Sequence, residues 1–107
     1  MADKIIALAC SAGMSTSLLV SKMQAAAKEQ GKDYDIFAKS TAEASNMLQA
    51  NPKPDVLLLG PQVGYLKGSI QPIADAANVP MDIINMQDYG MMRGDKVLAV
   101  AEKLMGV

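Results

Sequence analysis

Two short, unbroken apolar runs constrain the fold of this chain more than any other feature of its sequence. The first is Ile5–Ala9, which ends at Cys10, and the second is Val56–Leu59, which is closed by the turn-forming pair Gly60-Pro61. Apolar runs of this length, without alternating polar residues, are typical of parallel strands that are buried on both faces of a sheet. Both runs are far shorter than the roughly 20 apolar residues that a membrane-spanning helix needs.

Segments with helical periodicity lie between the predicted strands. After Cys10, apolar residues such as Leu19 and Met23 recur at helical spacing up to Gly31, which favours a helix end. Further strands are predicted at 34–38 and 81–84, and further helices from residue 41, over 68–77 and after residue 94.

This alternation of strands and helices predicts the topology. Parallel neighbouring strands need crossover connections, and these crossovers are right-handed. We therefore predict a single α/β domain over residues 1–107, with a doubly wound, four-stranded parallel sheet in the order 2-1-3-4 and helices on both faces. In such sheets the functional site lies beyond the carboxyl ends of the strands, near the point where the strand order reverses. Cys10 follows the first predicted strand and is therefore the first candidate.

The content of Cys, His and charge excludes several classes of chemistry. Of the 107 residues one is Cys and none is His, so the chain forms no internal disulfide and supplies neither an imidazole base nor a phosphohistidine. A formal net charge of -1 gives no reason to expect nucleic acid or an anionic membrane as a partner. One unpaired Cys and the lack of a long apolar segment favour a cytoplasmic protein, and we expect neither a metal nor a cofactor.

The segment after Cys10 has the composition of an anion-binding loop. Its residues are small or polar apart from Met14, and Gly13 supplies backbone freedom. Where a strand runs through such a loop into a helix, backbone N–H groups without intrahelical partners converge near the helix N-terminus and attract an anion. The same partial positive charge favours the nucleophilic thiolate form of Cys10. The predicted phosphate-binding residues are Ser11, Ala12, Gly13, Met14, Ser15, Thr16 and Ser17.

Motif spacing separates this loop from other cysteine and phosphate sites. A thioredoxin-type centre would need a second Cys at position 13, which is Gly, and a nucleotide-binding P-loop would need a Gly-Lys pair that is missing. Cysteine-dependent phosphatases have Arg six residues after the Cys, where this chain has Thr16. Without that Arg the loop can hold a phosphoryl group while attack by water is poorly assisted, as suits a phosphoryl carrier.

Two alternatives stay open from the residues alone. One is a small phosphatase or arsenate reductase, in which Asp88 would serve as the acid. The other is a structural domain in which Cys10 is an inert, buried side chain.

The run from Cys10 to Met23 strongly resembles the active-site segment of the lactose/cellobiose type of enzyme IIB, from the bacterial phosphoenolpyruvate-dependent sugar phosphotransferase system. The resemblance extends to Val56–Gln62 and Tyr65, and more loosely to Tyr89-Gly90, so that it covers almost the whole chain. It implies the fold of low-molecular-weight tyrosine phosphatases. It also implies that Cys10 is the catalytic nucleophile, which takes a phosphoryl group from a phosphohistidine on enzyme IIA and passes it to a sugar bound by the membrane component, enzyme IIC.

Recognition of these partners is expected to depend on exposed apolar side chains near the loop rather than on net charge. The predicted docking residues are Met14, Gln62, Tyr65 and Tyr89, with Met86, Met91 and Met92 as further candidates at the same sheet edge. The resemblance implies a cellobiose-type disaccharide as the sugar, with chitobiose, lichenan-derived oligosaccharides and lactose as alternatives. We expect a monomer that forms transient complexes with enzymes IIA and IIC.

Overall fold

The apolar runs of the sequence form the centre of a parallel sheet in the computed structural model, which describes residues 3–11 and 14–107 and, at Met14 and Ser15, the backbone alone. In these ranges the strands are β1 Lys4–Cys10, β2 Tyr34–Ser40, β3 Val56–Leu59 and β4 Met81–Ile83. Their order is β2-β1-β3-β4 and all three pairings are parallel, which confirms the predicted order 2-1-3-4. The register places Cys10 level with Ser40 at the carboxyl end of β2.

Five helices connect and flank these strands in the described ranges. They are α1 Met14–Glu29, α2 Ala44–Leu48, α3 Lys67–Ala76, α4 Met86–Gly90 and α5 Gly94–Met105. Short 3-10 turns precede α2 and α3, at Thr41–Glu43 and Pro61–Leu66. The turn predicted at Gly60-Pro61 is confirmed by the 3-10 turn Pro61–Leu66. The sequence pattern does not predict α4, because a segment this short contains no full period of apolar residues. None of the described helices is both long and apolar enough to span a bilayer.

Alternate residues of the central strands face opposite sides of the sheet, and each side has its own buried cluster. Ile6 and Leu8 of β1 pack in the cluster that includes residues of α1 and α5. Ala7 and Ala9 pack in the cluster that includes residues of α2 and α3. The two helix pairs therefore cover opposite faces, as predicted for a doubly wound sheet, and β1 is buried between them.

A polar cluster ties α5 to the start of β2, at the end of the sheet remote from Cys10. Tyr34 is level with Lys4, the first residue of β1, and its hydroxyl donates to Glu102 Oε2 at 2.8 Å. The Lys32 ammonium pairs with the same carboxylate. The hydrogen bond from Lys32 lowers the pKa of Glu102, and the same bond raises the pKa of Lys32. Burial raises the pKa of the Tyr34 hydroxyl.

Candidate functional site

Cys10 is the last residue of β1, where the sheet meets the segment that leads into α1. It is 6% exposed and lies between Ser40 of β2 and Gly60, which follows β3. A Cβ at Gly60 would lie 3.5 Å from the Cβ of Cys10, and the Gly60 N–H donates to the carbonyl oxygen of Ala9 at 2.9 Å. The end of β3 therefore lies beside the cysteine, at ordinary van der Waals distance.

The N-terminus of α1 supplies partial positive charge to the site. The helix begins at Met14, four positions after Cys10, and the N–H groups of its first turn have no intrahelical acceptor. No acidic side chain lies in that turn, so the partial positive charge of the helix end is not neutralised there. Ser11 and Ser17 are exposed. The remaining predicted ligands Ala12 and Gly13, together with the side chains of Met14 and Ser15, lie outside the described residues.

Thr16, at the position where phosphatases have Arg, directs its side chain into the protein. It is 2% exposed, and its Oγ1 lies 2.8 Å from the hydroxyl oxygen of Tyr89, which is 7% exposed. Either hydroxyl can donate in this buried hydrogen bond. The sequence pattern indicated the Thr16 hydroxyl as a phosphate donor, whereas the structure gives it a partner in the core. Its backbone N–H belongs to the first turn of α1.

The predicted docking residues differ in exposure. Tyr65, Met86 and Met91 are 79%, 74% and 59% exposed, and Gln62 is exposed as well. Tyr89 is different, because its ring lies in the core cluster between the sheet and the α1–α5 pair. A ring in that position has little surface to offer a partner protein, so the structure does not support a docking role for Tyr89.

Met92 and Leu18 are two further apolar side chains, and they differ in exposure. Met92 is half-buried and packs against the same core cluster as Tyr89. Leu18 of α1 is 52% exposed, and the sequence pattern did not single it out. Its position beside Leu19, which is buried, is the signal that places it on the outer face of the helix. We refer to the exposed apolar side chains of Tyr65, Met86 and Met91, on the segments that follow β3 and β4, as the apolar rim.

The short helix that carries Tyr89 is stabilised by a capping residue. Asn85 follows β4, and its Oδ1 accepts hydrogen bonds from the N–H groups of Gln87 at 2.8 Å and of Asp88 at 3.1 Å. Asn is one of the preferred N-cap residues, so Asn85 is the sequence signal that could have revealed α4. The cap positions Met86 at the exposed start of the helix and Tyr89 in the core.

Two ion pairs lie at β4 and in the segment that follows it. Arg93 Nη1 lies 3.6 Å from Asp88 Oδ1, and Lys67 Nζ lies 3.3 Å from Asp82 Oδ1. Asp88 was the candidate acid for the phosphatase alternative, and its carboxylate is instead paired with a guanidinium.

Comparison with known proteins gives a family match over nearly the whole chain. The family model described as PTS system, Lactose/Cellobiose specific IIB subunit, matches residues 5–100. The chain is 73% identical over 107 residues to the PTS system galactose-specific EIIB component of Lactococcus lactis subsp. cremoris (strain MG1363), with 98% of this chain and 99% of that protein covered. It is 72% identical over 107 residues to the PTS system cellobiose-specific EIIB component of Lactococcus lactis subsp. lactis (strain IL1403), with the same shares covered.

A solved structure agrees with this match. The solution structure of the cellobiose-specific phosphotransferase IIB component protein from Borrelia burgdorferi is similar to this chain with a TM-score of 0.78 and 36% identity, over 96% of this chain and 92% of that one. The resemblance inferred from the Cys10 segment is therefore confirmed. EIIB components act as phosphotransferases in sugar phosphorylation and function with EIIA and EIIC components. The chain belongs to the lactose/cellobiose-specific IIB subunit family of the phosphotransferase system.

Proposed function

We propose that this protein is a cytoplasmic phosphoryl carrier that holds the phosphoryl group as a phosphocysteine on Cys10. The Cys10 thiolate attacks the phosphorus of a phosphohistidine on enzyme IIA. An S–P bond forms, the N–P bond breaks, and the electron pair of the broken bond returns to the imidazole nitrogen. In the second transfer a hydroxyl oxygen of a sugar bound to enzyme IIC attacks the same phosphorus. An O–P bond forms, the S–P pair returns to sulfur as thiolate, and the hydroxyl proton is released at the acceptor.

One observation carries this proposal: the single Cys of the chain ends β1 just before the N-terminus of the 16-residue helix α1. The free N–H groups and the dipole of such a helix stabilise the negative charge of a phosphoryl group. We assign phosphate binding to the segment Ser11–Ser17, mainly through its backbone N–H groups. The chain has no His, so the phosphohistidine has to be supplied by the partner.

The environment of Cys10 favours storage of the phosphoryl group over its hydrolysis. In a phosphatase, an Arg in the loop grips the phosphoryl oxygens with two hydrogen bonds and stabilises the charge of the transition state. Here the equivalent position is Thr16, whose hydroxyl lies 2.8 Å from that of Tyr89. The carboxylate of Asp88 is paired with Arg93 at 3.6 Å rather than held free as an acid. A phosphocysteine in this site is therefore expected to persist until an acceptor protein docks.

We assign the docking of enzyme IIA to the apolar rim. Cys10 is 6% exposed, so the incoming phosphohistidine has to approach along the sheet edge that surrounds it. Tyr65 and Met86 lie on the segments that follow the carboxyl ends of β3 and β4. The segment after β3 packs on the last residue of β4, because a Cβ at Gly64 would lie 3.2 Å from Ile83 Cδ1. Exposed Met and Tyr side chains suit an adaptable, transient protein interface.

We propose a disaccharide of the cellobiose type as the sugar that receives the phosphoryl group. The cellobiose-specific Lactococcus relative, 72% identical to this chain, supports this class, whereas the galactose-specific relative, 73% identical, is named for a monosaccharide. The test is phosphorylation of cellobiose, lactose, galactose and chitobiose by membranes that contain the partner enzyme IIC. Preference for cellobiose is expected, and equal or greater phosphorylation of galactose would contradict it.

The carrier role is tested by incubating the purified chain with phosphoenolpyruvate, the general phosphotransferase components and enzyme IIA. We expect a phosphoryl adduct with the iodine sensitivity of an S–P bond, and we expect no such adduct on the matched variant Cys10→Ser. If Cys10→Ser acquired a stable phosphoryl group at the wild-type rate, the proposal would be wrong. Rapid turnover of a chromogenic phosphate ester by the wild type would favour the phosphatase alternative instead.

A further inference from the structure

Thr16 and Tyr89 form a buried hydroxyl pair that connects two parts of the site. The residues are 73 positions apart in the sequence, and the 2.8 Å hydrogen bond joins the first turn of α1 to α4. Burial makes this bond consequential, since a buried hydroxyl without a partner is costly. Among the described residues, no buried side-chain N or O atom lacks a hydrogen-bond partner, so removal of either hydroxyl would leave the other without its partner.

The position of Thr16 makes the bond relevant to phosphoryl transfer. Thr16 is the third residue of α1, so its backbone N–H is one of those that lack an intrahelical acceptor and face the N-terminal end of the helix. A β-branched side chain has few rotamers, and a hydrogen bond at its Oγ1 therefore restrains the local backbone as well. Groups that stabilise a transition state have to be held within about 0.5 Å of the productive geometry.

Tyr89 connects α4 to the first turn of α1 through the same hydrogen bond. Helix α4 has five residues and is capped by Asn85. Its first residue, Met86, is 74% exposed in the apolar rim, while Tyr89 is in the core. The surface that we assign to enzyme IIA and the turn that holds the phosphoryl group are therefore connected by one buried hydrogen bond.

We propose that Tyr89 is a positioning residue for phosphoryl transfer, which acts by holding Thr16 and with it the first turn of α1. This inference rests on the proposed carrier function. Tyr89 touches neither the phosphoryl group nor the partner in this role, so its loss alters the rate of the transfer step and leaves the affinity for enzyme IIA unchanged.

The test is the rate of phosphoryl transfer from phosphorylated enzyme IIA to four variants of the full chain. Tyr89→Phe and Thr16→Val each remove one hydroxyl, and each is expected to lower kcat about three- to tenfold at unchanged KM, the size of one lost hydrogen bond. Thr16→Ser keeps the hydroxyl and is expected to stay within about twofold of the wild type. The double variant Thr16→Val/Tyr89→Phe is expected to be no slower than the slower single variant, because both changes break the same bond.

Tyr34→Phe is the matched control. It removes a tyrosine hydroxyl whose 2.8 Å hydrogen bond to Glu102 lies at the far end of the sheet. It is expected to lower stability without lowering kcat. Here kcat is calculated per phosphorylatable chain, and the final extent of labelling measures the folded, active fraction. The inference is contradicted if Tyr89→Phe has the wild-type kcat, if Tyr34→Phe slows transfer equally, or if the Thr16 and Tyr89 effects simply add. If the wild-type chain is phosphorylated on Cys10 and Tyr89→Phe is phosphorylated equally fast, the positioning role is refuted. The carrier function would still stand.

Discussion

Gly94, the first residue of α5, lies directly against the backbone of α1. A Cβ at this position would lie 2.5 Å from the carbonyl carbon of Lys22 and 2.7 Å from the backbone nitrogen of Met23. Only glycine permits this approach, because such distances are far inside van der Waals contact. This contact lies in the layer formed by α1 and α5, which covers the face of the sheet where Tyr89 is part of the core cluster.

Gly94→Ala is therefore expected to lower the free energy of unfolding by about 1–3 kcal/mol, since the two helices have to separate to admit a methyl group. Gly68→Ala is the control, because that glycine lies in α3 and a Cβ there would meet nothing within 4 Å. It is expected to raise stability by up to about 1 kcal/mol, as Ala does in helices. Urea denaturation of both variants measures the difference, and equal midpoints would refute the close-packing explanation.

The Lys32–Glu102 pair predicts a loss of stability in acid. In this pair, the hydrogen bond from Lys32 lowers the pKa of the Glu102 carboxyl from its ordinary value of 4.5 and outweighs burial, which raises that pKa. The folded state therefore holds this proton less tightly than the unfolded state, and the stabilisation is fully present above pH 4.5 and lost as the pH falls through the lowered pKa. At the other extreme, the pKa of Lys32 is raised from 10.5, so the contribution is present below pH 10.5 and lost as the pH rises through the raised value.

Glu102→Gln should flatten the acid part of the stability profile, because the pair no longer titrates. The measurement is chemical denaturation from pH 7 down to about pH 3, with the slope of stability against pH as the readout. Glu29→Gln removes an exposed carboxylate at the end of α1 and serves as the control. An acid slope in Glu102→Gln as steep as that in Glu29→Gln would show that the pair does not contribute.

The apolar rim predicts which substitutions weaken the encounter with enzyme IIA. Met86→Asp and Tyr65→Asp place a charge on side chains that are 74% and 79% exposed, so neither should disturb the fold. Each is expected to raise KM for phosphorylated enzyme IIA about tenfold or more, as for loss of a central apolar contact. Val107→Asp is the control, since this residue is 60% exposed and its N–H donates to the Glu102 carbonyl at the opposite end of the sheet. Unchanged KM in both rim variants would remove these residues from the interface.

The N-cap of α4 offers a separate test of how Tyr89 is held. Asn85→Ala removes the acceptor for the Gln87 and Asp88 N–H groups and is expected to cost about 1 kcal/mol of stability. Asn85→Asp keeps an acceptor at the same place and is expected to retain most of that stability. The comparison is made by thermal or urea denaturation at neutral pH. If the two variants were equally destabilised, the cap would not be what stabilises α4.

The strands were predictable from sequence because their signal is local. An uninterrupted apolar run gave Val56–Leu59 with the bounds that the structure has, while the run Ile5–Ala9 extends by one residue at each end to Lys4–Cys10. Strand ends depend on pairing, and Cys10 is in the strand because Ser40 lies level with it on β2. That partner is distant in sequence, and a local pattern carries no information about it.

The sequence by itself determined where the proposed nucleophile lies and what its surroundings lack. One Cys ends the first strand, before a small polar loop and a helix, with Thr16 in place of Arg and no His in the chain. Only the tertiary structure decided what Thr16 does there. Its hydroxyl meets that of Tyr89, so one predicted phosphate donor and one predicted docking residue become a buried pair. The physical reason is that exposure and hydrogen-bond partners are set by the packing of α1 and α4 on a shared sheet, which no stretch of neighbouring residues encodes.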